Sequence, residues 1–460
     1  MRPTRDNYRY LTSAPVERVV LTMAVPTIVS MLVTALYSLA DTYFVSRLNT
    51  QSTAAVGIVF SVMSMVQAVG FFFGHGSGNY MSRQLGARHR DKALTMSAVG
   101  LVCSFVSGVV VALGVHAFLS PLSAALGSTA TIQPYTEEYL GLLLWGAPLL
   151  TSSLTLNNQM RLQGNAGYAL VGILTGAVLN LLLDPLFIFA LGLGLRGAAL
   201  ATVLSQAVSC VLLWYMSGRG GGLRPRLGQF RPSWQLAREI CNGGTPSLLR
   251  QGLSGLSVMA LNVAASQFGD GAIAGMSVVS RVCWMVFAAV VGLGQGFQPL
   301  CGFCYGAGLY DRVKAGFFFS VRLGTYFLLA CSLVGVIFAP GLIRLFRDEA
   351  SVVSVGAAAL RWQMLTFVLL PTIGLTNMFL QTIGRPVSAN LAAAARSGLF
   401  FIPLVFVLPS LFGLTGLVAC QAASDVCSFV VCALLARRAL VKMGPGVADS
   451  GCHSTKPFIH

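Results

Sequence analysis

Apolar residues run along this chain in segments of more than twenty, separated by short polar stretches. A helix that crosses the hydrocarbon of a bilayer needs about 20 mostly apolar residues. Twelve segments reach that length: 17–46, 52–80, 93–119, 135–158, 166–190, 195–217, 235–267, 272–303, 313–343, 352–378, 386–410 and 414–436. Small and polar residues recur inside them, as is typical of membrane helices that pack on one another or line a cavity. The pattern predicts an all-α polytopic membrane protein with twelve transmembrane helices.

Composition agrees with that prediction. Of the 460 residues, 55% are hydrophobic and 10% are charged, whereas a soluble globular chain carries about 25% charged residues. The shortage of charge therefore excludes a soluble domain of this length.

The net charge of +16 is explained by where the basic residues lie. With the N-terminus in the cytoplasm, 22 of the 30 lysines and arginines fall on the inner side, Arg161 among them, and 5 on the outer side. The other three, Arg250, Arg281 and Arg396, fall inside spans. By the positive-inside rule both termini are cytoplasmic. The basic excess then faces anionic lipid, and we expect no nucleic-acid partner.

The first half of the chain reappears in the second half, shifted by 220 residues. The matched positions include Pro26 and Pro246, Gly74 and Gly294, Gly86 and Gly306, Gly164 and Gly384, and, with an offset of 219, Gly194 and Gly413. Six helices per repeat insert in the same orientation, so we expect a pseudo-two-fold axis along the membrane normal and a substrate site between the halves. The predicted organisation is an N-terminal lobe (1–217), a cytoplasmic linker (218–232), a C-terminal lobe (233–440) and a cytoplasmic tail (441–460).

Two acidic residues, Asp41 and Asp184, interrupt the apolar spans. Tyr37 precedes Asp41 by four residues and Asn180 precedes Asp184 by four, so each pair shares a helix face. A charge in hydrocarbon costs roughly 2.5–3.5 kcal/mol on insertion scales, and such residues usually mark an ion or substrate pathway. The alternative is a buried polar network that only holds helices together.

Thr202 and Ala198 share a face of the sixth span in the same way. If the three faces converge, they offer two carboxylates, an amide oxygen, a hydroxyl and a backbone carbonyl. Oxygen ligands suit a hard cation, so Na⁺ is one candidate ligand, held by Asp41, Asn180, Asp184 and Thr202. Two adjacent carboxylates equally suit a proton, and the residues do not distinguish the two ions.

Several motifs resemble those of the multidrug and toxic compound extrusion (MATE) transporters, from about residue 15 to 440. They are Pro26 with Tyr37-Ser-Leu-Ala-Asp41-Thr, Gly74-x-Gly-Ser-Gly78, Asn180-Leu-Leu-Leu-Asp184-Pro185 and Gly294-Gln-Gly-Phe-Gln298-Pro299. The resemblance implies a V-shaped, two-lobed antiporter that exports cationic or amphipathic drugs in exchange for Na⁺ or H⁺. It also implies a cation site in the N-terminal lobe, a prokaryotic cytoplasmic membrane, and no cofactor besides the coupling ion. We expect a monomer.

Some branches of that family carry further acids in the second lobe. Here Leu261 stands opposite Asp41 in the repeat and Phe400 opposite Asn180, so we expect the coupling ion in the first lobe only. Asp425, in the last span, is interpreted either as a partner of Arg396 or as a substrate contact.

Other residues are candidates for substrate binding and for helix bending. Met259, Trp284 and Met285 suit a soft, adaptable cavity, although helix packing or lipid contact explains such residues as well; Gln295 and Gln298 add hydrogen-bonding groups. Pro26 and Pro185 each remove a backbone donor and predict weak points where a helix bends, with an inert kink as the alternative. His75 is interpreted as an interfacial histidine or a proton relay.

Two other functions fit less well. A flippase for lipid-linked precursors would favour a cationic groove between the lobes, whereas the embedded arginines are few and scattered. A membrane enzyme or receptor would be expected to show clustered His, Glu or Cys near a membrane face. No G-x-x-x-x-G-K-[ST] motif occurs, so ATP-driven transport by this chain alone is not expected.

Overall fold

The computed structural model describes residues 7–444, which form helices and no strands. The α-helices are α1 (Asn7–Ser13), α2 (Val16–Ser46), α3 (Thr50–Gly86), α4 (Arg90–Ala117), α5 (Leu119–Ala125), α6 (Gln133–Leu162), α7 (Ala166–Pro185), α8 (Gly194–Ser217), α9 (Trp234–Ser266), α10 (Asp270–Gly306), α11 (Tyr310–Ile337), α12 (Ala339–Arg344), α13 (Ala350–Thr366), α14 (Leu370–Thr382), α15 (Pro386–Ala394) and α16 (Phe401–Lys442). Two π-helical turns (Leu186–Ala190 and Ala395–Phe400) and two 3-10 turns (Leu227–Gln229 and Phe367–Leu369) complete the described structure. An all-α protein is expected, since helices satisfy their own backbone groups in lipid.

The predicted number of transmembrane helices is confirmed, although the boundaries differ. Ten helical stretches in the described chain are long and apolar enough to span a bilayer. The last, Pro386–Lys442, has 57 residues and would be about 85 Å long as one helix, against about 30 Å of hydrocarbon. Gly413 breaks it with φ 58° and ψ −138°, so it supplies two spans. The polar α9, with 33 residues, occupies the repeat position of α2 and supplies the twelfth.

Three short helices were not predicted, because helices of six or seven residues are shorter than the segments that hydropathy detects. α5 and α12 stand at equivalent places in the two repeats, each after the third long helix of its half. The third, α1, packs against α10, and Leu11 is fully buried there. The predicted span 352–378 is also divided: α13 and α14 are joined by the 3-10 turn at Phe367–Leu369.

The predicted linker 218–232 holds only the 3-10 turn at Leu227–Gln229. It packs on the N-terminal half, because the Leu223 N–H donates to Gln163 Oε1 at 2.7 Å and Asn7 Nδ2 donates to the Gly220 carbonyl at 3.2 Å. The segment is therefore anchored at its first turn.

The two halves contact each other mainly through α3 with α9 and α2 with α10. These contacts fall near the C-terminal ends of α3 and α10 and in the N-terminal halves of α2 and α9, which together we call the closed end. The helices diverge toward the other, open end, giving the expected V shape. The sequence prediction places the closed end on the cytoplasmic side.

Close backbone approach at the closed end requires glycine at symmetric positions. A Cβ at Gly86 would lie 2.2 Å from the Phe303 carbonyl oxygen, and one at Gly306 would lie 2.0 Å from the Arg83 carbonyl oxygen. These four positions are related by the offset of 220. The crossing of α3 and α10 therefore lies on the pseudo-two-fold axis, and no side chain fits there.

We expect Gly306→Val to force the closed end apart, because a Cβ so close to backbone has no flexible neighbour to displace. Spin labels at Arg90 and Val387, exposed positions in opposite lobes near this end, would report longer distances by pulsed electron resonance. The measurement uses a background in which the exposed Cys241 and Cys427 are serine. Gly252→Val in α9 is the matched control, since nothing lies within 4 Å of its Cβ position. Unchanged distances in Gly306→Val would contradict this account of the crossing.

Candidate functional site: an acidic cluster in the N-terminal lobe and the contacts of the closed end

The predicted acidic residues lie on helices that pack together. α7 packs against both α2 and α8, which brings Asn180 and Asp184 of α7 to the faces that carry Asp41 and Thr202. Asn180 is buried and Asp184 is 0% exposed, while Tyr37 and Asp41 are half-buried. Asp41 and Asp184 are near enough for their charges to interact, and Tyr37 lies within reach of both.

Asn180 connects two of the predicted ligands. Its amide nitrogen donates to Asp184 Oδ1 at 3.3 Å and to Thr202 Oγ1 at 3.3 Å. Both bonds are long, and neither uses the amide oxygen. The α7 and α8 faces predicted from residue spacing therefore do converge.

Two carboxylate oxygens in this cluster are buried without a donor. Neither Asp41 Oδ1 nor Asp184 Oδ2 has a hydrogen-bond partner among the described groups. A buried acceptor without a donor costs about 1–3 kcal/mol, and more when it is charged. Two such oxygens from different helices, with a hydroxyl and an amide nearby, are ligand atoms that fit a small cation or a proton.

Sequence reasoning missed one member of the cluster. Tyr139 of α6 is buried, and its phenol lies within electrostatic range of Asp41, Tyr37 and Asp184. It contributes a fourth helix to the surroundings of the acids. The only signal was a tyrosine at the start of an apolar run, directly after Glu137 and Glu138, whose repeat equivalent, Ala359, has no polar group.

The other residues predicted for this region have different environments. Ala198 is fully buried one turn from Thr202. Pro185 is the last residue of α7, and the chain continues as the π-turn Leu186–Ala190, in keeping with the backbone donor that proline lacks. Helix α2 is uninterrupted through Pro26. The predicted bending of these helices stays a prediction.

The predicted substrate residues fall in two places. Met259, Trp284 and Met285 are exposed, Trp284 to 57%, on α9 and α10. Gln295 and Gln298 are buried at the closed end, where Gln298 Nε2 donates to Thr382 Oγ1 at 3.3 Å. In this conformation the amides of α10 serve contact between helices, and their role in substrate binding stays a prediction.

Arg161 links the lobes at the closed end. The sequence placed it among the charges of the cytoplasmic side, whereas the structure buries it to 2% exposure at the end of α6. Its Nη1 donates to the Gln295 carbonyl at 2.6 Å and to Gln298 Oε1 at 3.0 Å, both in the other lobe. Counting the charges of loops assigns each residue to one side of the membrane, but it does not show whether its side chain is buried. The burial of Arg161 was therefore not predicted.

The Gln295 carbonyl is available because of Pro299. In an α-helix this oxygen accepts from the N–H four residues later, and proline has none. Arg161 supplies the missing donor from the opposite lobe. A proline inside α10 thus creates an acceptor that ties the lobes together.

His75 lies beside Arg161 and is one of the lobe contacts. Arg161 Nη2 lies 3.3 Å from His75 Nε2, and His75 Nδ1 lies 3.1 Å from Ser247 Oγ and 3.2 Å from the Phe71 carbonyl. Since arginine only donates, Nε2 accepts and Nδ1 carries the hydrogen. These contacts place His75 at the interface between the lobes, and its role as a proton relay stays a prediction.

The rim of the closed end carries an ion pair between lobes. Arg83 Nη2 donates to Glu239 Oε2 at 2.9 Å, and Arg83 Nη1 donates to the Thr382 carbonyl at 2.8 Å, at the end of α14. Thr382 Oγ1 also donates to Asn79 Oδ1 at 3.1 Å. This end is thus closed by polar contacts around the glycine crossing.

The fold and the buried acids together define a polytopic carrier built from two six-helix repeats. The MatE family model matches residues 26–186 and 246–407, that is, once in each repeat. The chain therefore belongs to the MatE family, the multidrug and toxic compound extrusion transporters.

Individual relatives agree with that membership. The chain is 27% identical over 428 residues to the multidrug export protein MepA of Staphylococcus haemolyticus (strain JCSC1435), covering 92% of this chain and 93% of the relative. A multidrug resistance MATE family transporter of the MOP superfamily, solved in an outward-facing conformation, shares the fold with a TM-score of 0.89, 24% identity, and 95% and 98% coverage. A MATE protein solved in a straight conformation matches with a TM-score of 0.90, 24% identity, and 95% and 99% coverage.

We expect Arg161→Met to weaken the closed end by about 1–3 kcal/mol, because buried acceptors on α10 lose their donor. The populations of closed and open forms, measured with the spin-label pair at Arg90 and Val387, give this difference. In a Pro299→Ala background the restored N–H at position 299 satisfies the Gln295 carbonyl, so Arg161→Met should cost less. The double-mutant cycle should show a coupling of about 0.5 kcal/mol or more. Additive effects would contradict the proline-dependent contact.

Proposed function

We propose that this protein is a secondary active antiporter that exports cationic or amphipathic drugs and takes up a small cation, Na⁺ or H⁺, in exchange. Its relative in Staphylococcus haemolyticus is named a multidrug export protein, which supports the direction and the substrate class. The observation that carries the coupling proposal is the pair of buried carboxylate oxygens, Asp41 Oδ1 and Asp184 Oδ2, without donors among the described groups.

The proposed cation site comprises Asp41, Asn180, Asp184 and Thr202, with Tyr37 and Tyr139 beside it. An Na⁺ ion would bind the two free carboxylate oxygens and the Thr202 hydroxyl, and the Asn180 amide would turn its oxygen inward. A proton would instead reside on one carboxyl group, which the second carboxylate favours by repulsion. Either cation removes the cost of the unpartnered oxygens.

The conformation fits the uptake step of such a cycle. With the closed end on the cytoplasmic side, as the distribution of basic residues predicts, the cleft opens outward. In a bacterial inner membrane the cation then arrives from outside. Its binding changes the charge on the face of α2, and Pro26, where that helix lacks a backbone donor, is the proposed point at which α2 responds.

The driving force is adequate for export. One positive charge that enters across 100 mV releases about 2.3 kcal/mol, which corresponds to roughly fifty-fold accumulation of an uncharged substrate. A monovalent cationic substrate exchanged for one cation moves no net charge, so its export is driven by the concentration gradient of the ion. Met259, Trp284 and Met285, which are exposed on α9 and α10, are the proposed substrate surface, since methionine and aromatic side chains suit chemically varied substrates.

A flippase for lipid-linked precursors has less support. Such a protein would need a row of cations in the cleft, whereas Arg161 is buried between lobes and Arg396 pairs with Asp425 at 2.8 Å. Arg250 donates to Asn377 Oδ1 at 2.9 Å. Arg161, Arg250 and Arg396 are thus engaged in contacts between helices.

The test is ethidium transport in proteoliposomes under an imposed Na⁺ gradient at equal pH, and then under an imposed pH gradient at equal Na⁺. One of the two gradients should drive accumulation by the wild-type protein. We expect Asp41→Asn and Asp184→Asn to lower that gradient-driven transport at least tenfold, because the cation loses its carboxylate ligands.

Asp270→Asn is the control, since Asp270 is an exposed acid at the start of α10. Gradient-free exchange of ethidium separates coupling from folding and substrate binding. If both aspartate variants still respond to the gradient as the wild type does, the coupling site lies elsewhere.

A further inference from the structure

We propose that Arg396 acts as a permanently bound cation of the C-terminal lobe, which neutralises Asp425 and so confines coupling to the N-terminal lobe. The inference rests on the proposed antiport, and it concerns what sets the number of coupling ions. It starts from the only acid inside the last span.

Asp425 is completely enclosed by its own lobe. Its Oδ1 accepts from Arg396 Nε at 2.8 Å and from Gln421 Nε2 at 3.0 Å, and its Oδ2 accepts from Thr366 Oγ1 at 3.4 Å. The carboxylate is 0% exposed, whereas the Arg396 side chain is 25% exposed. The guanidinium therefore covers the acid.

The repeat relates this cluster to the cation site of the first lobe. With the offset of 219, Gln421 stands where Thr202 stands, and Asp425 stands where Gln206 stands, one turn further along the same helix face. The local packing is also repeated. The Ser424 hydroxyl donates to the Arg396 carbonyl at 2.7 Å, and the equivalent Ser205 carbonyl lies 3.4 Å from the Cβ position of Gly176, the residue equivalent to Arg396.

Among the differences between the lobes, one bears directly on Asp425: Arg396 stands where the first lobe has Gly176. Gly176 has no side chain to offer, and the acids of the first lobe, Asp41 and Asp184, keep two oxygens without donors among the described groups. In the second lobe Arg396 extends from that position, and both oxygens of Asp425 have partners. One lobe thus has acids that need an external cation, and the other carries its cation covalently attached.

Arg396 lies between Asp425 and an aromatic pair of α10. Its guanidinium lies over the ring of Phe287, 5.1 Å from the centroid, and Phe287 contacts Trp284 at 6.2 Å between ring centroids. Trp284 is exposed on this lobe. Stacking and ion pairing hold the guanidinium between the aromatic surface and the acid, since arginine combines both interactions.

The test is the charge moved per substrate, measured from the ethidium gradient at which net flux reverses under a membrane potential set with potassium and valinomycin. Arg396→Gln should leave Asp425 needing a mobile cation, so one further charge should move per cycle. The reversing substrate ratio should then shift about fifty-fold at 100 mV. The readout is the same whether the ion is Na⁺ or H⁺.

Three variants control for the loss of a positive charge as such. Arg396→Gln combined with Asp425→Asn should return to the wild-type charge count, because no acid remains. Arg396→Lys should keep the wild-type count. Arg281→Gln removes an exposed arginine of α10 and should change nothing. A wild-type count in the single Arg396→Gln variant, or equal counts in the single and double variants, would overturn the proposal.

A second measurement does not require transport. Dicyclohexylcarbodiimide modifies carboxyl groups in apolar surroundings, and mass spectrometry would locate the adduct. Asp425 should be modified in Arg396→Gln and protected in the wild type; equal modification would also overturn the proposal. If instead the wild type shows no ion dependence, the proposed antiport fails, while this protection still reports the role of Arg396.

Discussion

Charged and polar groups cannot remain without partners in hydrocarbon, and this constraint determines where the function of the molecule resides. The charged groups of this protein meet the constraint in three ways. Arg161 is surrounded by amide and carbonyl oxygens from both lobes. Asp425 is paired with Arg396. Asp41 and Asp184 keep oxygens without donors among the described groups, and we propose that a transported cation completes them.

The repeat makes these differences informative. Its two halves share a backbone plan so closely that Gly86 and Gly306 make the same contact with Phe303 and Arg83. Polar groups, by contrast, are not repeated: Leu261 replaces Asp41, Phe400 replaces Asn180, and Arg396 replaces Gly176. Symmetric packing provides two lobes that can rock about a common axis. The asymmetric placement of charge is the basis of our proposal that ion coupling belongs to the N-terminal lobe.

Periodicity within one helix placed Asn180 and Asp184 on one face, because residues four apart are neighbours, and the hydrogen bonds of Asn180 to Asp184 and Thr202 agree with that placement. That these residues, with Tyr37 and Asp41, bind a coupling cation stays a prediction. What escaped prediction depends on packing between helices. Tyr139 reaches the acids from α6, and Arg161 and the Gln295–Gln298 pair meet only when the lobes close. A local pattern does not encode such partners, since they come from parts of the chain more than a hundred residues apart. The short helices α1, α5 and α12 were not predicted for another reason: with six or seven residues each, they are shorter than the segments that hydropathy detects.

The chemistry of the closed end explains how the two lobes can stay in contact there and also separate. Arg83 and Glu239 form an ion pair at its partly exposed rim, where such pairs contribute about 0–1 kcal/mol. Its interior combines apolar residues of both lobes, such as Ala24 and Phe297 in one buried cluster, with hydrogen bonds of Arg161, His75 and Thr382. Each hydrogen bond is worth about 0.5–1.5 kcal/mol net, or up to about 3 where a charge takes part. When the lobes separate, water can replace these hydrogen-bond partners, so the polar groups do not remain without partners. The burial of the Arg161 guanidinium without a carboxylate further limits the stability of closure, because hydration of the ion is recovered on opening. The net difference between closed and open forms can therefore be of the same order as the roughly 2.3 kcal/mol released by one charge crossing 100 mV. The apolar residues buried between the lobes oppose opening by about 25 cal/mol per Å² of surface exposed, and hydration of the polar groups offsets part of that cost.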